Sequence, residues 1–184
     1  MNELRDSGVD PLIIDAGDLF FSTANLNSKN KKSELYRAGA ILEGYNRVGC
    51  DAINVGHYEV LNGLSFLKSM EEKTEIPFLS ANLRDAQTNK LLFEPFRIIE
   101  KESLKIGIVG VTDKLPDTTK SMIADNYIEA GNHYIDEASK QADIIVIMVN
   151  SDRKTYSELP TLFANADFIV TSGSTNMTRE TTRQ

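Results

Sequence analysis

Short apolar runs alternate with amphipathic helical segments along almost all of this 184-residue sequence, and this alternation constrains the fold more than any other feature. The run 144–149 is continuously apolar, as expected of a strand that is buried on both faces. Strands of this kind that are joined by helices form mostly parallel sheets covered by helices. We therefore predict an α/β fold with a mostly parallel mixed sheet flanked by helices, formed by residues 1–184 as one domain.

The spacing of apolar residues also predicts the individual elements. Strands are predicted at 11–15, 51–55, 76–79, 143–149 and 167–170, and helices over about 34–48, around 64–70, 121–141 and 157–165. A β-hairpin is predicted for 96–101 and 104–111, with Glu102 and Ser103 at its turn.

A polar residue or a glycine lies just beyond the end of each of four predicted strands. They are Asp18, His57, Asn150 and Gly173. Ligands of open α/β sheets bind beyond the carboxyl ends of the strands, so these four positions are predicted to converge on one site. Asp18 taken alone is equally well explained as a turn or helix-capping residue, because aspartate is common in both roles.

Composition excludes several classes of function. The net charge is −7 and no basic face is evident, which argues against a nucleic-acid or acidic-membrane partner. No apolar stretch approaches the roughly 20 residues that span a bilayer. The single cysteine, Cys50, excludes an internal disulfide and is predicted to be a buried thiol. Residues 1–5 lack the apolar segment of a secretory signal.

The strand-end motifs resemble those of the calcineurin-like metallophosphoesterases, within them the bacterial periplasmic 5′-nucleotidase branch. The segments that carry the resemblance are 12–20 (LIIDAGDLF), 51–56 (DAINVG), 77–83 (PFLSANL) and 105–112 (KIGIVGVT). The resemblance implies a layered α/β fold, an extracytoplasmic location and two divalent metals that activate water for attack on a phosphoester.

The resemblance also assigns roles to single residues. Asp18 stands at the position of the bridging metal ligand, His57 at that of the metal-binding Asn, and Tyr58 at that of the catalytic His. Asn150 stands where the family has a lone His, and the segment 172–175 (SGST) replaces its Gly-His-x-His motif. The family's Asp-x-His motif has no counterpart, so its first strand is expected to be missing.

Three functional hypotheses follow. The first is a non-catalytic relative that requires no cofactor and binds a nucleotide or other small polar ligand, or a partner. Its cleft would be lined by Asn82, Asn150, Ser172 and Asn176. The second is a divergent phosphoester hydrolase that has a changed mechanism or takes its missing ligands from outside the chain. In it Asp18 and His57 hold Mn, Zn or Fe, and Glu59 or Asp152 helps. The third is an assembly subunit whose open sheet edge pairs with a second copy or another chain.

Overall fold

The computed structural model describes residues 6–117 and 119–173, in which α-helices alternate with β-strands along most of the chain. The helices are α1 (Lys31–Val48), α2 (Leu64–Glu71), α3 (Tyr127–Ala138) and α4 (Leu159–Leu162). The strands are β1 (Ile14–Asp15), β2 (Ala52–Asn54), β3 (Phe78–Leu79), β4 (Leu83–Asp85), β5 (Phe96–Lys101), β6 (Leu104–Thr112), β7 (Met122–Ala124), β8 (Ile144–Asn150) and β9 (Phe168–Ser172). None of the helices in these two ranges is long and apolar enough to cross a membrane.

The described strands form two main sheets and one small one. The first sheet is parallel throughout, in the order β1-β2-β3, and the second has the order β5-β6-β8-β9. In the second sheet β6, β8 and β9 are parallel, while β5 pairs antiparallel with β6. Strands β4 and β7 form the small antiparallel sheet. The predicted α/β class with a mostly parallel arrangement and flanking helices is confirmed, with its strands divided between sheets.

The two main sheets pack face to face, and each carries helices on its other face. Alternate residues of β8 show this arrangement: Ile145 and Ile147 pack in one apolar cluster with α3 and α4, whereas Val146 and Met148 pack in another with Ala52 of the first sheet. A third cluster joins α1 and α2 to the first sheet. Both faces of β8 are therefore buried, which explains its continuous apolar sequence.

A buried amide joins the two sheets. Asn54 at the end of β2 donates from Nδ2 to the carbonyl oxygens of Ala16 and Val111, which lie in different layers. Its Oδ1 is buried without a hydrogen-bond partner among the described residues, and a Cβ at Gly110 would lie 2.5 Å from it. The absence of a side chain at Gly110 is thus what lets Asn54 cross between the sheets.

Most predicted elements are present, with changed boundaries. The hairpin of β5 and β6 is confirmed, and Glu102 at its turn has a left-handed φ of 54°. The prediction of one helix over 121–141 was wrong in its first part, because residues 122–124 pair with β4 as strand β7. Helix α3 begins only after Asn126, whose side chain accepts hydrogen bonds from the N–H groups of Ile128 and Glu129.

Candidate functional site

The carboxyl ends of β1, β2, β8 and β9 meet at a pocket of about 170 Å³, which we call the strand-end pocket. It is lined by Asp18, Ala24, His57, Tyr58, Asp113, Lys114, Asn150, Ser151, Asp152 and Gly173. All four residues that were predicted to converge are among them. An adjoining, more open depression of about 500 Å³ shares Asp18, Tyr58 and Gly173 with it and also contains Ser172.

Two glycines allow the loops after β1 and β2 to touch. Gly17 has a φ of 102°, and a Cβ added to it would lie 2.9 Å from the Cα of Gly56. A Cβ added to Gly56 would lie 2.9 Å from the amide nitrogen of Asp18 and 2.8 Å from Nδ2 of Asn150. Any side chain at either position would force the loops apart, because such distances are shorter than carbon atoms tolerate.

Glu59 holds these two loops together, a role that the motif comparison did not assign to it. Its fully buried carboxylate accepts four backbone hydrogen bonds, which it receives from the N–H groups of Asp18 (2.7 Å), Leu19 (2.6 Å), Phe20 (3.1 Å) and Gly56 (2.9 Å). Burial, followed by the charge of Asp18, raises the pKa of Glu59 to about 7, while its backbone donors act in the opposite direction. No pattern in the sequence pointed to this role, because three of the four donors lie 39 to 41 residues before Glu59 in the chain.

Asn150 takes part in a chain of hydrogen bonds that crosses the site. Its Oδ1 accepts from the backbone N–H of His57 at 3.0 Å, and its Nδ2 donates to Oγ of Ser172 at 2.8 Å. Ser172 in turn donates from Oγ to the carbonyl oxygen of Ala16 at 2.7 Å. The amide of Asn150 thereby connects three strand ends, and both of its polar atoms are engaged.

Asp18 and Tyr58 are neighbours in the pocket wall. Oδ1 of Asp18 accepts the backbone N–H of Tyr58 at 2.8 Å, and Asp18 has a left-handed φ of 62°. Burial, and after it the charge of Asp18, raises the pKa of Tyr58 above its ordinary value. The phenol therefore stays protonated at neutral pH and is a weak acid, unlike the imidazolium that the family uses to protonate a leaving group.

One predicted cleft residue, Asn82, does not line the pocket. Asn82 is fully buried, its Oδ1 accepts from the N–H of Thr112, and its Nδ2 donates to the carbonyl oxygens of Thr112 and Asp125. This arrangement contradicts the prediction that Asn82 lines a cleft, because its amide is used entirely to join β6 to the segment before α3. Asn176 lies outside the described residues.

The side chains at this site do not fit the pair of divalent metals that the resemblance implies. No group of three or more His, Cys, Asp or Glu side chains within the described ranges is arranged to hold a metal ion. Nδ1 of His57 lies 3.3 Å from the carbonyl oxygen of Lys114, and Glu59 is turned away from the pocket toward backbone donors. A catalytic metal site needs at least about three protein ligands that share one centre.

Comparisons with known proteins agree with the motifs. No family model matches the chain. It is 36% identical to the 5′-nucleotidase of Vibrio cholerae serotype O1 over 102 aligned residues. The aligned stretch covers 55% of this chain and 18% of that protein. Among solved structures, a 5′-nucleotidase precursor from Thermus thermophilus matches with a TM-score of 0.71 and 20% identity over 93% of this chain and 34% of that one.

A second solved structure extends the fold comparison. The calcineurin-like phosphoesterase YfkN from Bacillus subtilis matches with a TM-score of 0.70 and 18% identity, covering 92% of this chain and 60% of that one. The resemblance stated from the strand-end motifs is thereby confirmed, and the fold is that of the calcineurin-like phosphoesterases. The chain spans about a fifth of the length of the curated relatives that it matches.

Proposed function

Because the chain is similar to bacterial 5′-nucleotidases over part of their length, we propose that its strand-end pocket binds a small polar ligand of the nucleotide or sugar type without hydrolysing it. One observation carries the proposal: the polar groups at the family's metal positions are bonded to backbone and to one another. Asp18 accepts from the backbone of Tyr58, and Asn150 is shared between His57 and Ser172. This network shapes the pocket, and the described side chains around it do not form a group of three or more metal ligands, which is fewer than a dinuclear centre needs.

The proposal is tested by metal content and turnover measured together. The purified chain is dialysed against a chelator, then against Mn²⁺ or Zn²⁺, and its bound metal is measured by mass spectrometry. Phosphate release from uridine monophosphate is followed in the same samples. We expect far less than one metal per chain, and release no faster than that of the Asp18→Asn variant. Asp136→Asn, which makes the same change on the exposed face of α3, is the matched control.

The competing function is a divergent phosphoester hydrolase, which is favoured by the carboxylate of Asp18 at the family's bridging position. Under that function the chain would retain close to stoichiometric metal and release phosphate. Asp18→Asn would abolish the release while Asp136→Asn would not. This combination of results would contradict the non-catalytic proposal.

Pairing of a second copy along the edge at β1 is also a proposal. Strand β1 has a neighbour on one side only among the strands that the structure describes, namely β2. Size-exclusion chromatography with light scattering measures the outcome directly. A dimer is expected if the edge is used, and a monomer at high concentration contradicts it.

A further inference from the structure

Aromatic and charged side chains border the depression of about 500 Å³ that adjoins the strand-end pocket. Tyr58, Tyr156, Arg153 and Asp18 are among the residues that line it, and both tyrosines are half-buried. Tyr156 and Arg153 border this depression and not the strand-end pocket, whereas Tyr58 and Asp18 border both. The volume is within the range of about 300–1,000 Å³ that is usual for ligand sites.

The polar groups of these four side chains are available to a ligand. Within residues 6–117 and 119–173, neither tyrosine hydroxyl takes part in a hydrogen bond, and the guanidinium of Arg153 has no hydrogen bond or ion pair. Asp18 uses Oδ1 to accept the N–H of Tyr58, and its Oδ2 has no partner in the same ranges. The depression thus offers a ligand one carboxylate acceptor and several donors.

Charge and shape indicate which part of a ligand fits here. Asp18 and Arg153 carry opposite charges, and they are the only charged side chains among the described residues that line the depression. Their charges balance near neutral pH, so the depression does not favour the charged end of a ligand. The two phenol rings and the guanidinium are planar, and groups of this kind stack on flat aromatic rings. An uncharged aromatic ring with a polar edge matches these properties.

The strand-end pocket has the groups that suit the rest of such a ligand. The ammonium of Lys114 lines it and has no hydrogen bond or ion pair with any residue that the structure describes. An ammonium donates to hydroxyl and phosphate oxygens. The carboxylates of Asp113 and Asp152 on the same wall accept from hydroxyls. Because the pocket and the depression share Asp18 and Tyr58, one ligand can occupy both.

We infer that the depression is a subsite for a planar nitrogen heterocycle, the base of a nucleoside or nucleotide, which stacks on Tyr156 and Tyr58 beside Arg153. This assignment rests on the proposed binding function and adds to it the part of the ligand that the depression recognises. The edge of a nucleobase carries both donors and acceptors, so an N–H of the base donates to Asp18 while Arg153 donates to a ring nitrogen or carbonyl oxygen. The sugar then lies in the strand-end pocket.

Calorimetric titration of the metal-free protein with adenosine, uridine and ribose tests the subsite. We expect adenosine to bind more tightly than uridine, because its larger ring stacks over a greater area, and ribose to bind about tenfold more weakly than adenosine or worse. Nucleosides carry no phosphate ester, so hydrolysis cannot contribute to the heat that is measured.

Tyr156 is the position that separates the depression from the strand-end pocket, because it borders only the former of the two. Tyr156→Ala should weaken adenosine binding about fivefold or more, whereas Tyr156→Phe, which keeps the ring, should stay within about twofold of the parent protein. Arg153→Gln should weaken it about twofold to fivefold. Tyr36→Ala is the matched control, since Tyr36 lies on α1 with 81% of its surface exposed, and it should leave the affinity unchanged.

Saturation-transfer NMR shows which part of the ligand contacts the protein. With the parent protein, H2 and H8 of the adenine ring should receive more saturation than H1′ of the ribose, and Tyr156→Ala should remove this excess. Saturation that is strongest on the ribose overturns the subsite. Circular dichroism establishes that Tyr156→Ala is folded, and Arg153→Gln provides the same test at an exposed residue if it is not.

The results distinguish the subsite from the proposed function. If adenosine binds but Tyr156→Ala and Arg153→Gln bind it as the parent does, the subsite is wrong and ligand binding in the strand-end pocket stands. Ribose that binds as tightly as adenosine has the same meaning. No adenosine or uridine binding at millimolar concentration overturns the subsite as well. The proposed absence of hydrolysis is decided separately, by the metal and phosphate-release measurements on uridine monophosphate.

Discussion

Two glycines in helix interiors allow one substitution to be tested in opposite surroundings. Gly131 of α3 is buried against the second sheet, and an added Cβ would lie 2.6 Å from Cε1 of Phe163 and 3.2 Å from Cδ1 of Ile147. Gly39 of α1 is exposed, and no atom lies within 4 Å of the corresponding position. The variants Gly131→Ala and Gly39→Ala therefore differ in packing but share the same change in helix propensity.

The magnitudes predict opposite signs. Alanine is more favourable than glycine in a helix interior by about 1 kcal/mol, and this is the whole effect expected at Gly39. Carbon atoms attract at about 3.5–4.0 Å, so the contact of 2.6 Å with Phe163 is strongly repulsive. Phe163 is fully buried, and overpacking of such a site costs about 1–3 kcal/mol. We expect Gly131→Ala to lower the free energy of unfolding by up to about 2 kcal/mol after the gain in propensity, which makes it about 1–3 kcal/mol less stable than Gly39→Ala.

Urea denaturation followed by far-ultraviolet circular dichroism measures both effects with the same protocol. The midpoint should fall for Gly131→Ala and rise for Gly39→Ala, with slopes unchanged from the parent protein. A Gly131→Ala variant that gains as much stability as Gly39→Ala would refute the described packing of α3 on Phe163. A destabilised Gly39→Ala would show that the outer face of α1 is covered.

Three further predictions concern other parts of the molecule. Gly56→Ala places a Cβ 2.8 Å from Nδ2 of Asn150, so we expect a loss of about 1–3 kcal/mol in urea denaturation and a smaller ligand-induced rise in Tm. Hydrogen bonds from the hydroxyl and backbone N–H of Ser22 lower the pKa of Glu34 below 4.5. The ionised Glu34 carboxylate therefore stabilises the folded protein above pH 4.5, and this stabilisation is lost as the pH falls through the lowered pKa. On acidification, the urea midpoint of Glu34→Gln should fall less steeply than that of the parent protein. Burial raises the pKa of the Cys50 thiol to about 12, so a thiol reagent at neutral pH should label it slowly in the native protein and rapidly in denaturant.

The sequence by itself was enough to predict those strands and helices whose spacing of apolar residues reflects the faces that they bury. The continuous apolar run of β8 and the apolar spacing of α1 each reflect the faces that these elements bury, and that pattern is legible without knowledge of the partner. The order of strands and helices also placed Asp18, His57 and Asn150 at strand ends, which is why their convergence could be predicted. Gly49, with a φ of 71°, ends α1 where the periodicity ends.

The tertiary structure alone decided how the strands are divided between sheets and which polar groups meet. Strand β7 depends on its pairing with β4, so a three-residue segment with no pattern of its own was assigned to a helix. The roles of Glu59, which binds the loop 40 residues before it, and of Asn82, which binds Thr112, depend on backbone groups that are distant in the chain. Hydrogen bonds between such groups leave no periodic trace in the sequence, because their partners are set by packing of the layers and not by neighbouring residues.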